Sequence, residues 1–128
     1  MDLCLSILKE DYWVAKSSPH STDLSWIDWE QEFVSVTKTL DEISVVIPEQ
    51  PLPQPFVKEG PFKGFKIEGV LEFSLTGILV RLLTPLAQSK ISVFTLSTFN
   101  TDYIFVPKAK FKDSIGIFNS INGVKVID

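Results

Sequence analysis

Alternating apolar and polar positions mark most of the chain as strand, and two stretches carry helical spacing instead. Leu3-Cys4-Leu5-Ser6-Ile7-Leu8 is strand-like, Lys9-Glu10-Asp11 is a polar turn, and Tyr12-Trp13-Val14-Ala15-Lys16 is the expected hairpin partner. Residues 17–23 form a loop by composition. Trp26, Ile27, Trp29 and Phe33 suit one short helical turn that anchors aromatic rings in a core. The alternation of Phe33 to Thr39 predicts a half-buried strand, Leu40-Asp41-Glu42 a turn, and Ile43 to Ile47 a strand ending at Pro48. Prolines at 48, 51, 53 and 55 remove backbone donors and set the expected boundary between two units, 1–60 and 61–128.

The second half is more regular. Phe65 to Gly69 is a short strand. Ser74 is placed to cap a helix, and Leu75, Ile78, Leu79, Leu82, Leu83 and Leu86 follow on one face. Pro85 falls inside that pattern, so a bend or break is expected there. Ile91 to Leu96 and Tyr103 to Val106 are antiparallel strands around the polar turn Ser97 to Asp102. Phe111, Ile115, Phe118 and Ile121 mark a second amphipathic helix, Asn122-Gly123 stops it, and Val124 to Ile127 is a closing strand. The order β-α-β-β-α-β is the ferredoxin-like split unit of the α+β class, an antiparallel sheet with both helices on one face.

Val36 to Pro48 parallels Leu96 to Pro107, each a strand, a Thr-bearing polar turn, an apolar strand and a proline. One extra residue in the first copy makes the alignment approximate, with Glu42 falling near Asp102. The first half lacks a long amphipathic helix and has the proline tract where a second helix would lie. It is expected to be a degraded tandem copy that shares its core with the second, since so small a unit buries little surface alone.

Composition narrows the function. With 128 residues, 45% hydrophobic and 22% charged, the chain is expected to be a soluble globular protein, and its net charge of −4 argues against a grip on nucleic-acid phosphates. Lys63-Gly64-Phe65-Lys66 echoes an RNA-recognition strand, but Lys66 and Glu68 stand where small and aromatic residues are needed. The single cysteine, Cys4, is expected to be a buried strand residue and excludes an internal disulfide or thiolate cluster. His20 has no nucleophile signature beside it, so no enzyme, metal or cofactor is expected. The apolar stretches are short for a bilayer span, which leaves a cytoplasmic location as the default expectation.

Phe73-Ser74-Leu75-Thr76-Gly77-Ile78-Leu79, Pro85-Leu86-Ala87, and Ile91 to Phe94 running into Ser97-Thr98-Phe99-Asn100-Thr101-Asp102-Tyr103 together resemble the ACT-domain family. The likeness is to its small tandem-ACT members, related to CASTOR-type amino-acid sensors, and Thr37 to Val45 resembles the motif of their first unit. The resemblance implies a regulatory module that binds a free amino acid where ACT units meet, as a homodimer, with a signal passed to a separate effector protein. It places the ligand between the helix-opening residues Ser74, Leu75, Thr76, Gly77 and Ile78 and the hairpin residues Ser97, Thr98, Phe99, Asn100, Thr101 and Asp102. Exposed amides and the helix dipole favour a carboxylate there, and Gly77 lets a ligand near the backbone. Asp102 would face a cationic group. Leu75 stands where arginine-binding units can carry an acidic residue, which points toward a neutral or aromatic amino acid, and Glu72 must turn away from the carboxylate or pair with the ammonium.

The alternative is a structural or protein-interaction module that dimerises and binds no ligand. Ser97, Thr98 and Asn100 are then good turn residues, Asp102 a solvated carboxylate, and Gly77 a packing residue.

Overall fold

The computed structural model describes residues 2–20, 23–69 and 77–128. In chain order its strands are Leu3–Ile7 (β1), Tyr12–Ser17 (β2), Ser35–Lys38 (β3), Ile43–Pro48 (β4), Val57–Ile67 (β5), Phe94–Ser97 (β6), Asp102–Pro107 (β7) and Val124–Ile127 (β8). Its α-helices are Ile78–Gln88 (α1) and Phe111–Ser120 (α2). Two compact units result: Lys9–Phe62, and Met1–Leu8 with Lys63–Asp128. The division falls within β5 rather than at the proline tract, and β1 belongs with the later residues.

In the discontinuous unit β1 takes its partners from β5 and β8 and not from a hairpin with Tyr12 to Lys16. It runs antiparallel to β5 (Leu5 opposite Ile67, Ile7 opposite Phe65) and parallel to β8 (Leu3 opposite Val124, Leu5 opposite Val126). β7 pairs with β5 and β6. The sheet is therefore mixed, a correction to the antiparallel expectation. In a purely split βαββαβ unit the first and last strands flank one another, whereas here β1 lies between them.

Period-2 alternation puts Leu3, Leu5, Phe65, Ile67, Ile104, Val106 and Val124 in one cluster with Leu82 and Leu86 of α1 and Phe118 of α2. Phe65 packs edge-on to Phe118 at 5.0 Å between centroids. α1 runs through Pro85 to Gln88 without the expected break. Burying Leu82 and Leu86 contributes about 1.5–3 kcal/mol each, enough to offset the roughly 3 kcal/mol a helix-interior proline costs. The helix ends in a Schellman arrangement: the Ile91 amide donates to Leu86 O and the Lys90 amide to Ala87 O, both at 3.0 Å, with Lys90 at φ 59°.

In the Lys9–Phe62 unit the strand order is β3-β4-β2 and the first half of β5, with β4 antiparallel to β2 and β3. Ala15, Ile43, Val45 and Ile47 form its core with Ile27. The segment expected as a short helical turn is instead a series of turns. Trp26 packs edge-on to Phe56 at 5.2 Å and donates from Nε1 to Asp23 O, while Trp29 stays 60% exposed. Leu52 and Phe56 of the proline tract cover the same core.

Candidate functional site

The hairpin β6–β7 is built on a hydroxyl-stapled turn. The Thr98 amide donates to Thr101 O at 2.8 Å, Thr98 Oγ1 donates to the same carbonyl at 3.1 Å, and the Thr101 amide donates back to Thr98 Oγ1 at 3.3 Å. Thr101 is only 5% exposed, and its Oγ1 donates to Ile67 O at 2.6 Å. That bond ties the hairpin tip to the end of β5. Ser97 Oγ donates to Asp102 Oδ1 across the strand pair, so Ser97 and Asp102 act as one polar unit. Asn100 and Phe99 project from the tip, Phe99 with 80% of its surface exposed.

Gly77 precedes α1 with φ 78°, a left-handed conformation that favours glycine, and its carbonyl accepts the Arg81 amide at 3.0 Å. A Cβ built there meets no described atom within 4 Å, so the glycine serves backbone geometry rather than tight packing. Ile78 lies on the core side of α1. Ser74, Leu75 and Thr76, with Glu72, fall outside the described residues. The structure thus brings Ser97, Thr98, Thr101 and Asp102 together, and places Gly77 and Ile78 at the helix opening.

The first-half turn has the same construction. The Thr39 amide donates to Glu42 O at 2.9 Å, and the Asp41 and Glu42 amides donate to Thr39 Oγ1 at 3.1 and 3.2 Å. Strand registers also coincide: Lys38 opposes Ile43 as Ser97 opposes Asp102, and Ser35 opposes Val46 as Phe94 opposes Phe105. Thr39 therefore corresponds to Thr98 without a gap, and Leu40, 93% exposed, corresponds to Phe99. Glu42 then matches Thr101, next to Asp102, and the extra residue read from the sequence is not there.

Sequence reasoning missed a cavity of about 440 Å³ in the Lys9–Phe62 unit, lined by Val14, Lys16, Glu42, Ser44, Val57 and Glu59 among others. Its signal was present as alternation along β2, β4 and β5, but the first half of β5, with Gly60 and Pro61 inside it, does not read as a strand. The clearest electrostatic perturbation lies elsewhere: two hydrogen bonds from Ser25 hold the Asp23 carboxyl below its usual range. Among the described residues no His, Cys, Asp or Glu cluster could hold a metal, and no helix is long and apolar enough to cross a membrane.

Residues 58–120 match the family model of the ACT domain, and residues 10–55 match a second model, described as an N-terminal domain. No curated protein matched the sequence. Among solved structures, a protein from Agobacterium tumefaciens is similar over 99% of this chain and 93% of its own, at 28% identity and TM-score 0.88. A protein of unknown function from Vibrio cholerae, described as a possible transport protein, aligns over 94% of this chain and 90% of its own, at 18% identity and TM-score 0.75. Aspartate kinase from Clostridium acetobutylicum, described as an allosteric enzyme, aligns over 89% of this chain and 34% of its own, at 13% identity and TM-score 0.62. The family match is to residues 58–120, the likeness to the kinase is one of fold, and among the described residues this chain is α+β with a mixed sheet and two α-helices.

Proposed function

We propose that this chain is a non-catalytic regulatory module that binds a free amino acid between the Ser97–Asp102 hairpin and the segment opening α1. The observation that carries the reading is the buried Thr101 Oγ1 bond to Ile67 O. It fixes a tip bearing the Ser97–Asp102 pair to the strand from which the chain proceeds toward Gly77. The ACT match, which spans the hairpin and α1, supports it. A neutral or aromatic amino acid is the expected ligand, its carboxylate toward the helix opening and its ammonium toward Asp102. The gap-free likeness of the two hairpins supports a tandem arrangement in which Lys9–Phe62 is a degraded ACT copy, related to CASTOR-type sensors. A cytoplasmic homodimer signalling to an effector protein completes the reading.

Thermal-shift screening with the twenty amino acids at millimolar concentration tests it. Ligand at a hundredfold its Kd stabilises by about 2.7 kcal/mol, a readily seen shift. Asp102→Ala and Gly77→Val should each remove the response and leave the oligomeric state unchanged. Shifts within noise for all twenty would refute the proposal.

One observation favours the second reading, an interaction module without ligand: Leu40 and Phe99 occupy the same exposed position of two matching turns. Loss of association in Phe99→Ser, with no ligand response in the unaltered chain, would select it.

A further inference from the structure

Three strands have a strand neighbour on one side only among the described residues, and their open sides are not finished alike. β8 pairs with β1 alone, and its outward amides are capped within the chain: Val124 N donates to Ile121 O at 3.0 Å and Val126 N to Asn119 Oδ1 at 2.9 Å. β3 pairs with β4 alone and carries Lys38, a charge of the kind that blunts a sheet edge. β6 pairs with β7 alone and has neither device. Ile91 to Thr101 holds no charged residue and no proline.

The backbone of β6 can be followed group by group. The Thr98 amide donates to Thr101 O, so antiparallel alternation turns Leu96 and Phe94 toward Tyr103 and Phe105. It turns the N–H and C=O of Thr95 and Ser97 away from β7. Among the described residues those backbone groups have no partner. The two faces of the strand differ. Phe94, stacked on Phe105 at 4.8 Å between centroids, and Leu96 are half-buried on one face. The Thr95 and Ser97 hydroxyls stand on the other.

We infer that β6 is a strand-addition site for an extended segment of a partner protein, uncharged and apolar at alternate positions. The segment's main chain bonds Thr95 and Ser97, its apolar side chains lie beside Phe94 and Leu96, and small polar ones fit beside the hydroxyls. A second copy of this chain fits the edge less well. The four residues of β6 make an edge roughly 13 Å long. Two such edges paired alone bury well under the about 1,200 Å² from which stable interfaces start. A short extended segment needs no such area, because main-chain hydrogen bonds carry its affinity. The inference does not rest on amino-acid binding at the hairpin, and Thr95 and Leu96 take no part in that proposal.

The test mixes the full isotope-labelled chain with a capped peptide of alternating valine and threonine, and with its fully N-methylated counterpart, which offers no donors. Hydrogen exchange at the Thr95 and Ser97 amides should slow with the first peptide and not with the second. The Leu96 amide, which faces β7, should change little. Thr95→Pro should weaken binding about three- to tenfold, as expected for one backbone hydrogen bond. Its melting temperature should stay near that of the unaltered chain, because the lost donor faces away from β7. Leu96→Lys keeps every donor and adds the charge that β6 lacks, so it should weaken binding even where the proline variant fails to fold. The inference is overturned if exchange at Thr95 and Ser97 is unchanged, if the N-methylated peptide acts equally, or if neither variant weakens binding. It is overturned in favour of a second copy if the unaltered chain sediments as a dimer and Leu96→Lys as a monomer.

Discussion

Replacing Thr101 by valine tests the hairpin anchor most directly. Valine keeps the shape and β-branching of threonine, so the change removes one hydroxyl from a site only 5% exposed. The lost donor bonds Ile67 O at 2.6 Å and leaves that carbonyl short of a partner in a buried setting. Losing a buried partner costs about 1–3 kcal/mol, partly offset because valine is easier to desolvate. We expect a net loss near 1.5 kcal/mol, or a drop in Tm of about 5 °C for a chain of this size. Thermal melts followed by far-ultraviolet circular dichroism would measure it, with hydrogen exchange at Thr98 and Thr101 as the local reading. Thr101→Ser, which keeps the hydroxyl, should recover most of the loss. Thr98→Val should cost less, because its turn bonds lie nearer solvent. If Thr101→Val is as stable as the unaltered chain, or if serine fares as badly as valine, the bond is not the anchor.

Lys90 holds a left-handed conformation at the end of α1, so Lys90→Gly should stabilise the fold by about 0.5–1 kcal/mol, read from urea melts. Gly64→Ala should do the reverse: its Cβ would sit 2.7 Å from both Leu8 Cδ1 and Phe105 Cε2, an overpacking that costs roughly 1–3 kcal/mol. Asp23 gives a pH signature. Its carboxyl is held low by Ser25, so its contribution is present above the ordinary value of 3.8 and fades as pH falls through the depressed one. The Tm difference between the unaltered chain and Asp23→Ala should accordingly shrink in acid, and a constant difference would show that the hydrogen bonds do not matter.

Local pattern made much of the discontinuous unit legible. Leucines at helical spacing gave α1, and alternation gave β6, β7 and β8. What it could not give was pairing, since Leu3, Leu5 and Ile7 alternate identically whether their neighbours are antiparallel or parallel. Pro85 misled for a different reason: its local penalty was evident, but the burial of Leu82 and Leu86 on either side was not. The turn repeat was visible in sequence and one residue out of register. The strand registers and the hydroxyl bonds of Thr39 and Thr98 identify which threonines correspond. For the candidate site, Ser97 to Asp102 could be read as a polar tip. The Thr101 bond joins residues far apart in the chain and had no sequence signal.

The position of β1 has a consequence for how the chain acquires its structure. Residues 3–7 are made well before their parallel partner Val124–Ile127. The strands of Lys9–Phe62 are all available long before that, so this unit is expected to order first during synthesis. The thermodynamic cost of the long closure is small, since each doubling of loop length adds only about 0.6 kcal/mol. The kinetic cost is larger, because such distant contacts slow folding. Until β8 arrives, β1 carries an unsatisfied edge, and the nascent chain is open to pairing with the wrong strand. Halting synthesis before residue 124 should therefore leave β1 without its parallel partner and the chain protease-sensitive, even though the strands of Lys9–Phe62 are already present.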